Sequence, residues 1–201
     1  MEELGLFPLG IVLLPTERVP LHIFEPRYRE LIGDCIEEDR EFGVLYADEG
    51  GIRDIGTRAR VAVILERFDD GRLNVLVEGG RRFTVERLTE GRSFMTAEVG
   101  EIDDEPSVVS DETRVGATGS FRALAALAGA EAEFDEESPY LSYVLAGQVE
   151  LAADEKQFLL ESRSEQERLE RVAELLEDAR RVLIATRELG EVAKKNGSRP
   201  H

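Results

Sequence analysis

The stretch from Phe7 to Ile32, FPLGIVLLPTERVPLHIFEPRYRELI, decides how the first half of the chain folds. Most of its residues are apolar, yet the run is interrupted by Pro15, Pro20 and Pro26. A strand in the middle of a sheet excludes proline, because proline lacks the N–H that the hydrogen-bond ladder requires. The stretch is therefore not predicted to be an ordinary buried strand, and its apolar character needs another explanation.

A helix is predicted to begin at Pro26, because the missing N–H of proline costs nothing in the first turn. The apolar residues that follow have the spacing of one helical face: Tyr28, Leu31, Ile32, Cys35 and Ile36. Cys35 lies on this face without basic neighbours, which predicts a core residue rather than a reactive thiol. Phe24 precedes the helix and is expected to pack on Tyr28 as a hydrophobic staple.

The segment from residue 41 to 102 is predicted to form strands. Alternating or short apolar runs indicate five of them: EFGVLYA, TRARVAVILERF, RLNVLVE, RRFTVERL and SFMTAEVGEI. Asp69-Asp70-Gly71 has turn chemistry, and Gly79-Gly80 is predicted to end a strand. Several short strands with glycine-marked turns predict an antiparallel sheet that closes into a small barrel.

The pattern becomes helical after an acidic stretch, EIDDEPSVVSDE, which runs from Glu101 to Glu112. This stretch is predicted to be a linker or surface loop that few contacts cross. Helical segments follow, with a capping box at Ser164–Glu167. The predicted organisation is α+β: a β-rich subdomain at 1–104, an α-helical bundle subdomain at 112–190 and a disordered tail at 191–201.

Charge and cysteine content restrict the partners and the compartment. The formal net charge is −18, so a nucleic-acid backbone or an anionic membrane would be repelled unless a local basic patch intervened. A single cysteine excludes an internal disulfide and favours a reducing compartment. The N-terminal MEELGLFPL lacks the basic residues of a signal peptide, and no apolar run approaches the ~20 residues of a membrane helix. We therefore expect a cytoplasmic protein that does not bind membranes.

Catalytic and metal-binding patterns are missing from the sequence. One cysteine with His22 and the terminal His201 cannot supply the ligands of a zinc site, so no metal or cofactor is predicted. No glycine-rich segment has the lysine and hydroxyl residue of a phosphate-binding loop. His22 lies between Leu21 and Ile23, where a hydrogen-bonded structural histidine is expected rather than a catalytic base. An enzyme is therefore not predicted.

The arginines of the β-rich half raise nucleic-acid binding as an alternative. Nine arginines lie between Arg53 and Arg92, and some of them alternate onto the solvent face of strands. No aromatic residues alternate with them as stacking platforms, which argues against nucleic acid as a partner. We expect these arginines to pair with acidic residues across the sheet: Glu66, Asp69, Asp70, Glu78 and Glu86. A small-ligand or RNA-binding module is the second hypothesis, and a continuous positive stripe would support it.

Five motifs follow one another along the chain. They are P-L-x-x-V-x-x-P from Pro8, L-x-x-F-E-x-R-Y from Leu21, I-G-T-x-A-x-V from Ile55, V-L-V-E-G-x-x-R-F from Val75 and E-K-Q-x-L-L-E from Glu155. Together and in this order they resemble the N-terminal substrate-binding domain of the Lon protease family. The similarity runs from about Leu6 to Val182, and PLHIFEPRYR is similar to the corresponding segment of standalone bacterial proteins with this domain.

This resemblance implies a PUA-like β pseudobarrel followed by a helical subdomain, with a part in binding substrate polypeptides. In the Lon protease the region precedes an ATPase and a serine–lysine peptidase, whose motifs this sequence lacks, so neither activity is carried over. We predict a non-enzymatic polypeptide-binding module, an adaptor or quality-control accessory, whose partners are unfolded or exposed hydrophobic segments. The oligomeric state is left open between a monomer and a weak dimer.

The resemblance also gives the proline-interrupted stretch a place. In such a barrel the chain after Leu14 must leave one strand, cross the surface and enter the first helix. Pro15 and Pro20 would hold this crossing extended without ladder partners. A polypeptide-binding groove is predicted here, lined by Leu14, Pro15, Val19, Pro20 and Phe24. The alternative is that these residues only cover one end of the barrel.

Overall fold

The computed structural model describes residues 2–106 and 108–197, which form two compact units. The first unit contains 2–106 and 146–163, and the second contains 108–145 and 164–197. The elements of the described chain are β1 (Glu2–Leu9), β2 (Arg18–Ile23), α1 (Pro26–Glu38), β3 (Phe42–Asp48), β4 (Gly51–Ile52), β5 (Ile55–Arg67), β6 (Leu73–Thr89), β7 (Thr96–Glu101), α2 (Asp111–Ala128), α3 (Leu141–Ala146), α4 (Ala153–Glu161) and α5 (Glu165–Gly197). No described helix is long and apolar enough to cross a lipid bilayer.

Strands of the first unit close into a barrel. β1 pairs with β3 in parallel, and antiparallel ladders join β3 to β5, β5 to β6, β6 to β7 and β7 back to β1. Two strands lie outside this ring, since β4 pairs with β3 and β2 pairs with β6. The predicted α+β class and the small, mainly antiparallel barrel are confirmed. The parallel β1–β3 ladder is an addition that the turn pattern does not predict.

Strand β6 is continuous through Gly79 and Gly80, so the prediction that a strand ends at these glycines is wrong. A Cβ at Gly79 would lie 2.1 Å from the carbonyl oxygen of Leu14. The glycine therefore accommodates a close approach of two backbones rather than a turn. Because β6 is long, its first half pairs with β2 and β5, and its second half pairs with β5 and β7.

The residues just before β2 pack onto β6 through their backbone. The Thr16 N–H donates to the Gly79 carbonyl at 2.8 Å, and the Gly79 N–H donates to the Glu17 carbonyl at 2.9 Å. Leu14 is fully buried, and Pro15 is buried beside it. This part of the proline-interrupted stretch is therefore an internal packing segment and not an exposed crossing.

The next part of the stretch forms β2, which corrects the prediction of an extended segment without ladder partners. Pro20 lies opposite Leu76 of β6. Proline is tolerated here because β2 has a ladder partner on one side only among the described strands. Alternate residues of β2 have opposite surroundings, and those that pack against the core are Val19, Leu21 and Ile23.

Helix α1 begins at Pro26, as predicted, and its predicted apolar face packs into the core of the first unit. The ring of Phe7 from β1 lies 4.1 Å from the ring of Tyr28, measured between centroids. Cys35 is buried on the same face, and its burial raises the pKa of the thiol to about 11. The predicted core position of Cys35 is confirmed.

Helix α4 packs within the first unit, whereas the sequence places it in a helical subdomain at 112–190. The reason is a buried guanidinium: Arg82 of β6 donates to the carbonyl oxygens of Leu160 and Ser162, at 2.9 and 2.5 Å. Carbonyl groups at a helix end lack partners inside the helix, so a cation that binds them fixes the helix in place.

The acidic stretch after β7 is anchored to the same unit. Asp104 forms an ion pair with Arg82 at 2.5 Å, and the Glu105 N–H donates to the carbonyl of Arg163 at 2.8 Å. The expectation that few contacts cross this stretch is therefore wrong for 104 and 105. Sequence composition does not reveal the anchor, because Arg82 lies on a distant strand.

The second unit is built on the packing of α2 against α5. The Ser110 hydroxyl caps α2 by accepting from the Thr113 N–H at 3.1 Å. Arg168 of α5 is fully buried, where it pairs with Glu165 at 2.6 Å and lies 4.6 Å from the ring centre of Tyr143. Apolar residues buried in this unit include Ala117, Phe121, Ala125, Leu169, Val172 and Leu176.

Helix α5 starts at the predicted capping position and ends later than predicted. The Ser164 hydroxyl accepts from the Glu167 N–H at 3.3 Å, which is one half of the predicted capping box. The helix continues to Gly197, so the tail predicted to be disordered at 191–201 is helical over 191–197. Residues 198–201 lie outside the described residues.

Candidate functional site

Three adjacent strands, β2, β6 and β5, place side chains opposite one another in three rows. The exposed side of these strands is called the outer face. Its rows are Arg18, Glu78 and Arg60; Pro20, Leu76 and Val63; and His22, Asn74 and Glu66. Charge and polarity differ from row to row, so the face has a charged end, an apolar centre and a polar end.

The apolar centre is open to solvent. Pro20 is exposed, Leu76 is half-buried, and 48% of Val63 is exposed. The ladder between β5 and β6 is irregular between Ile64 and Glu66, so Leu65 has no opposite residue and is 55% exposed. The irregularity thus adds an apolar side chain to the centre of the face.

The charged end contains two arginines and one carboxylate. Arg18 pairs with one oxygen of Glu78 at 2.7 Å, and Arg60 pairs with the other at 3.0 Å. The hydrogen bond from Arg60 is the main reason why the pKa of Glu78 is lowered. The row itself carries two positive charges and one negative charge, and the carboxylates of Asp39 and Glu41 also act on Arg60.

At the polar end, hydrogen bonds link three side chains in series, and two aromatic rings lie beside them. His22 Nδ1 lies 2.6 Å from Asn74 Oδ1, and the Asn74 amide donates to Glu66 at 3.0 Å. The predicted hydrogen-bonded histidine is thus confirmed, although His22 is exposed rather than buried. The imidazole stacks on Phe24 at 5.8 Å between ring centres and meets the edge of Phe68 at 6.0 Å.

A groove of about 470 Å³ lies between the centre and the polar end of the outer face. The residues that line it are Pro20, Leu21, His22, Leu65, Glu66 and Asn74. Three of these residues are apolar and three are polar, so the groove can contact both apolar and polar groups of an occupant.

The predicted groove residues divide between the interior and the outer face. Leu14 and Pro15 are buried, and Val19 packs against the core, so an exposed groove through these three residues is ruled out by their surroundings. Pro20 and Phe24 are both exposed; Pro20 lines the groove described above, and the ring of Phe24 stacks on His22, another lining residue. Two of the five predicted residues, Pro20 and Phe24, therefore lie on one surface in the structure.

The surroundings of Phe24 also differ from those that the sequence predicts. Phe24 is 59% exposed and stacks on His22, whereas the predicted staple partner Tyr28 packs on Phe7. A staple joins the residue before the N-cap to the fourth residue of the helix, and with Glu25 as N-cap that residue is Arg29 rather than Tyr28. The register of the helix start therefore explains the error.

Sequence reasoning missed Val63, Leu65 and Phe68. One signal was available, because apolar residues occupy both alternating sets of positions in VAVIL, from Val61 to Leu65. A strand with one buried face and one solvent-exposed face would place polar residues in the set that faces solvent. Apolar residues in both sets indicate that the solvent-exposed face of the strand also makes contacts with another group or a partner.

Most of the exposed arginines of the first unit lie beside carboxylates. Besides the Glu78 row, pairs among the described residues are Arg53–Asp48, Arg72–Asp70, Arg81–Glu101, Arg87–Glu98 and Arg92–Asp34. Of the predicted cross-sheet partners, Glu78 is confirmed; Asp70 pairs with Arg72 within the turn between β5 and β6, and the remaining pairs use other acids. Positive charge is therefore interspersed with negative charge on these strands. No group of three or more His, Cys, Asp or Glu that could hold a metal occurs among the described residues.

A closed barrel with an exposed apolar face, followed in the chain by helices, is an arrangement that offers a surface for binding. Comparison with known proteins then identifies the family. The family model for the ATP-dependent protease La (LON) substrate-binding domain matches residues 3–178, and the chain belongs to this family. The resemblance seen in the five motifs is confirmed. The match is to the substrate-binding domain, and no ATPase or protease domain is matched.

Relatives and solved structures agree with this membership. The chain is 27% identical to Lon protease 2 of Myxococcus xanthus and 26% identical to the Lon protease of Brevibacillus choshinensis, over 96% and 98% of its length. It spans only 26% and 28% of those two proteins. The crystal structure of a Lon N-terminal domain protein from Xanthomonas campestris is 28% identical, covers 86% of this chain and 97% of its own, and gives a TM-score of 0.69.

A second solved structure supports the fold alone. The N-terminal domain of the Lon protease from the Mycobacterium avium complex is 16% identical, with a TM-score of 0.52 over 92% of this chain and 97% of its own. The PUA-like pseudobarrel that the resemblance implies is consistent with both structural neighbours.

Proposed function

We propose that the chain recognises polypeptides by binding their exposed apolar segments on the outer face of β2, β6 and β5. The observation that supports this is the solvent-exposed apolar centre, in which Val63 and Leu65 are about half exposed. Contiguous apolar surface of this kind marks interaction sites on folded domains. Membership of a substrate-binding family makes a polypeptide the natural occupant.

The energetics fit reversible binding. Full burial of a valine, leucine or phenylalanine side chain contributes about 1.5–3 kcal/mol. Association costs about 4–15 kcal/mol in lost freedom of motion, so a few such side chains leave only a moderate net affinity. Weak and reversible capture is suited to a module that samples many polypeptides.

We propose further that the chain acts as a non-enzymatic adaptor or quality-control accessory in the cytoplasm. The part of the Lon proteases that the chain matches is about a quarter of their length and is described as a substrate-binding domain, which supports a recognition role. The interspersed charges described above argue against the alternative of an RNA-binding module, which would need a continuous positive stripe.

Binding of a fluorescently labelled, permanently unfolded polypeptide tests the proposal. The double substitution Val63→Ser with Leu65→Ser should weaken binding by about tenfold, because two apolar contacts are lost. Leu88→Ser is the matched control, since Leu88 is 58% exposed on β6 but lies outside the outer face. Equal losses in both variants, or none in either, would contradict this location for the site.

A further inference from the structure

The two ends of the outer face differ in charge, and this difference bears on which segments the face selects. This selection rests on the proposed function, because it concerns the same surface. At one end, Arg18 and Arg60 share the single carboxylate of Glu78. At the other end, the last row contains the carboxylate of Glu66 and no cation that pairs with it among the described residues.

Glu66 can accept a cation from an occupant. Its carboxylate accepts one hydrogen bond, from Asn74, and the residue is exposed. The neighbouring charges do not neutralise it in the described contacts: Arg72 is engaged with Asp70, and Arg67 faces Leu73 in the ladder. An apolar segment that covers Leu65 would exclude water and strengthen an ion pair made by Glu66.

The arginine end can accept an anion. The side chains of Arg18 and Arg60 are 61% and 65% exposed, although both bind Glu78. A guanidinium has five N–H donors, so each arginine retains donors after pairing with one carboxylate oxygen. An additional carboxylate would bind the remaining donors in the bidentate geometry that arginine favours, beside Asp39 and Glu41, whose charges also act on Arg60.

The spacing of the two ends corresponds to a short extended segment. Asn74 and Glu78 mark the two end rows on β6 and are four residues apart, with Leu76 between them. At about 3.3 Å per residue the rows are separated by about 13 Å. Side chains at i, i+2 and i+4 of an extended chain share one face, so they can reach the three rows together.

We propose that the outer face selects extended polypeptide segments that carry a basic residue and an acidic residue four positions apart, with an apolar residue midway between them. The basic side chain binds Glu66, the apolar side chain covers the Pro20–Leu76–Val63 row, and the acidic side chain binds Arg18 and Arg60. A segment of either chain direction satisfies this pattern, because contact is made by side chains and not by a strand ladder.

Peptide binding tests this selection. The first peptide has Lys-x-Leu-x-Glu, and its controls have Gln-x-Leu-x-Gln, Lys-x-Leu-x-Lys, Glu-x-Leu-x-Glu, or the same lysine and glutamate placed next to each other. We expect the first peptide to bind about 5- to 10-fold more tightly than each control, which corresponds to about 1–1.4 kcal/mol. Raising the salt concentration should reduce this advantage, because the ion pairs are partly exposed.

Substitutions in the protein separate the possible outcomes. Glu66→Gln should remove the advantage that lysine gives, and it should weaken the neutral peptide much less than the lysine-containing peptide. Arg60→Gln should likewise remove the advantage that glutamate gives. Equal affinity for all five peptides would overturn the charge selection and leave apolar binding intact. Equal weakening of every peptide by Glu66→Gln would also overturn it, since Glu66 would then only support the surface. Absence of binding by every peptide would overturn both this inference and the proposed function.

Discussion

The carbonyl oxygen of Leu14 lies so close to the Cα of Gly79 that it leaves no room for a Cβ atom there. A Cβ built on Gly79 would lie 2.1 Å from that oxygen. Hydrogen bonds from Thr16 to Gly79 and from Gly79 to Glu17 hold the two backbones together on either side of this contact. The contact explains why an apolar segment that contains proline lies inside the unit, and why β6 contains a glycine at this point.

Replacement of Gly79 by alanine should destabilise the protein. The added methyl group meets backbone atoms that cannot rotate away, so we expect the free energy of unfolding to fall by about 1–3 kcal/mol, as overpacked cores do. Urea denaturation measures the change. Gly80→Ala is the control, because a Cβ there would be 3.3 Å from its nearest neighbour, the carbonyl oxygen of Arg58. Losses of equal size in the two variants would contradict the close-approach explanation.

Phe24→Ala should leave stability nearly unchanged, with a loss below about 1 kcal/mol, because 59% of Phe24 is exposed. Tyr28→Ala is expected to cost about 3–5 kcal/mol, as deletions of large aromatic side chains in cores do. Thermal or urea unfolding of both variants checks the difference. A large loss for Phe24→Ala would show that its ring is part of the core after all.

The elements that the sequence predicts well are those whose signal is local. The buried face of α1 follows from the spacing of Tyr28, Leu31 and Cys35, and the structure shows the same face inside. The continuity of β6 and the burial of Leu14 depend on a contact between residues far apart in the chain. A glycine pair has the same local pattern whether it makes a turn or admits a neighbouring backbone, so composition alone could not distinguish these two cases.

The thiol of Cys35 should make stability depend on pH in the alkaline range. Burial raises its pKa from 9.0 to about 11 in the folded protein. The folded state therefore holds the proton more tightly than the unfolded state, and this contribution is complete below pH 9 and is lost as pH rises towards 11. The difference in unfolding free energy between wild type and Cys35→Ala should accordingly shrink over that interval. A difference that stays constant with pH would contradict the buried, neutral thiol.

Arg82→Ala should release the acidic stretch. Arg82 is 5% exposed and binds Asp104, so its loss removes a buried partner from the stretch and from the end of α4. A protease that cleaves on the amino side of aspartate should then cut before Asp104 about tenfold faster, since cleavage tracks the population of the locally open chain. Arg81→Ala is the matched control, because Arg81 is 64% exposed and pairs with the partly exposed Glu101. Fast cleavage before Asp104 in the unsubstituted protein would contradict the anchor.

The candidate site was predictable only in part. The exposure of Pro20 and Phe24 is predictable from an apolar stretch that contains proline, because such residues are exposed when they lie on an edge strand or before a helix. The apolar residues in both sets of VAVIL indicate a second contact face, but they do not show that Val63 and Leu65 face outward, since the irregular ladder between β5 and β6 decides this. A single irregular position reverses the alternation that follows it, and sequence patterns do not reveal where it occurs.

Site-specific photo-crosslinking tests the central claim most directly. A photoreactive amino acid is placed at position 65 on the outer face or at position 88 elsewhere on β6, and each protein is irradiated with a labelled unfolded polypeptide. Binding on the outer face predicts strong crosslinking from position 65 and only background crosslinking from position 88. Equal crosslinking from both positions, or crosslinking from position 88 alone, would contradict the outer face as the polypeptide-binding surface.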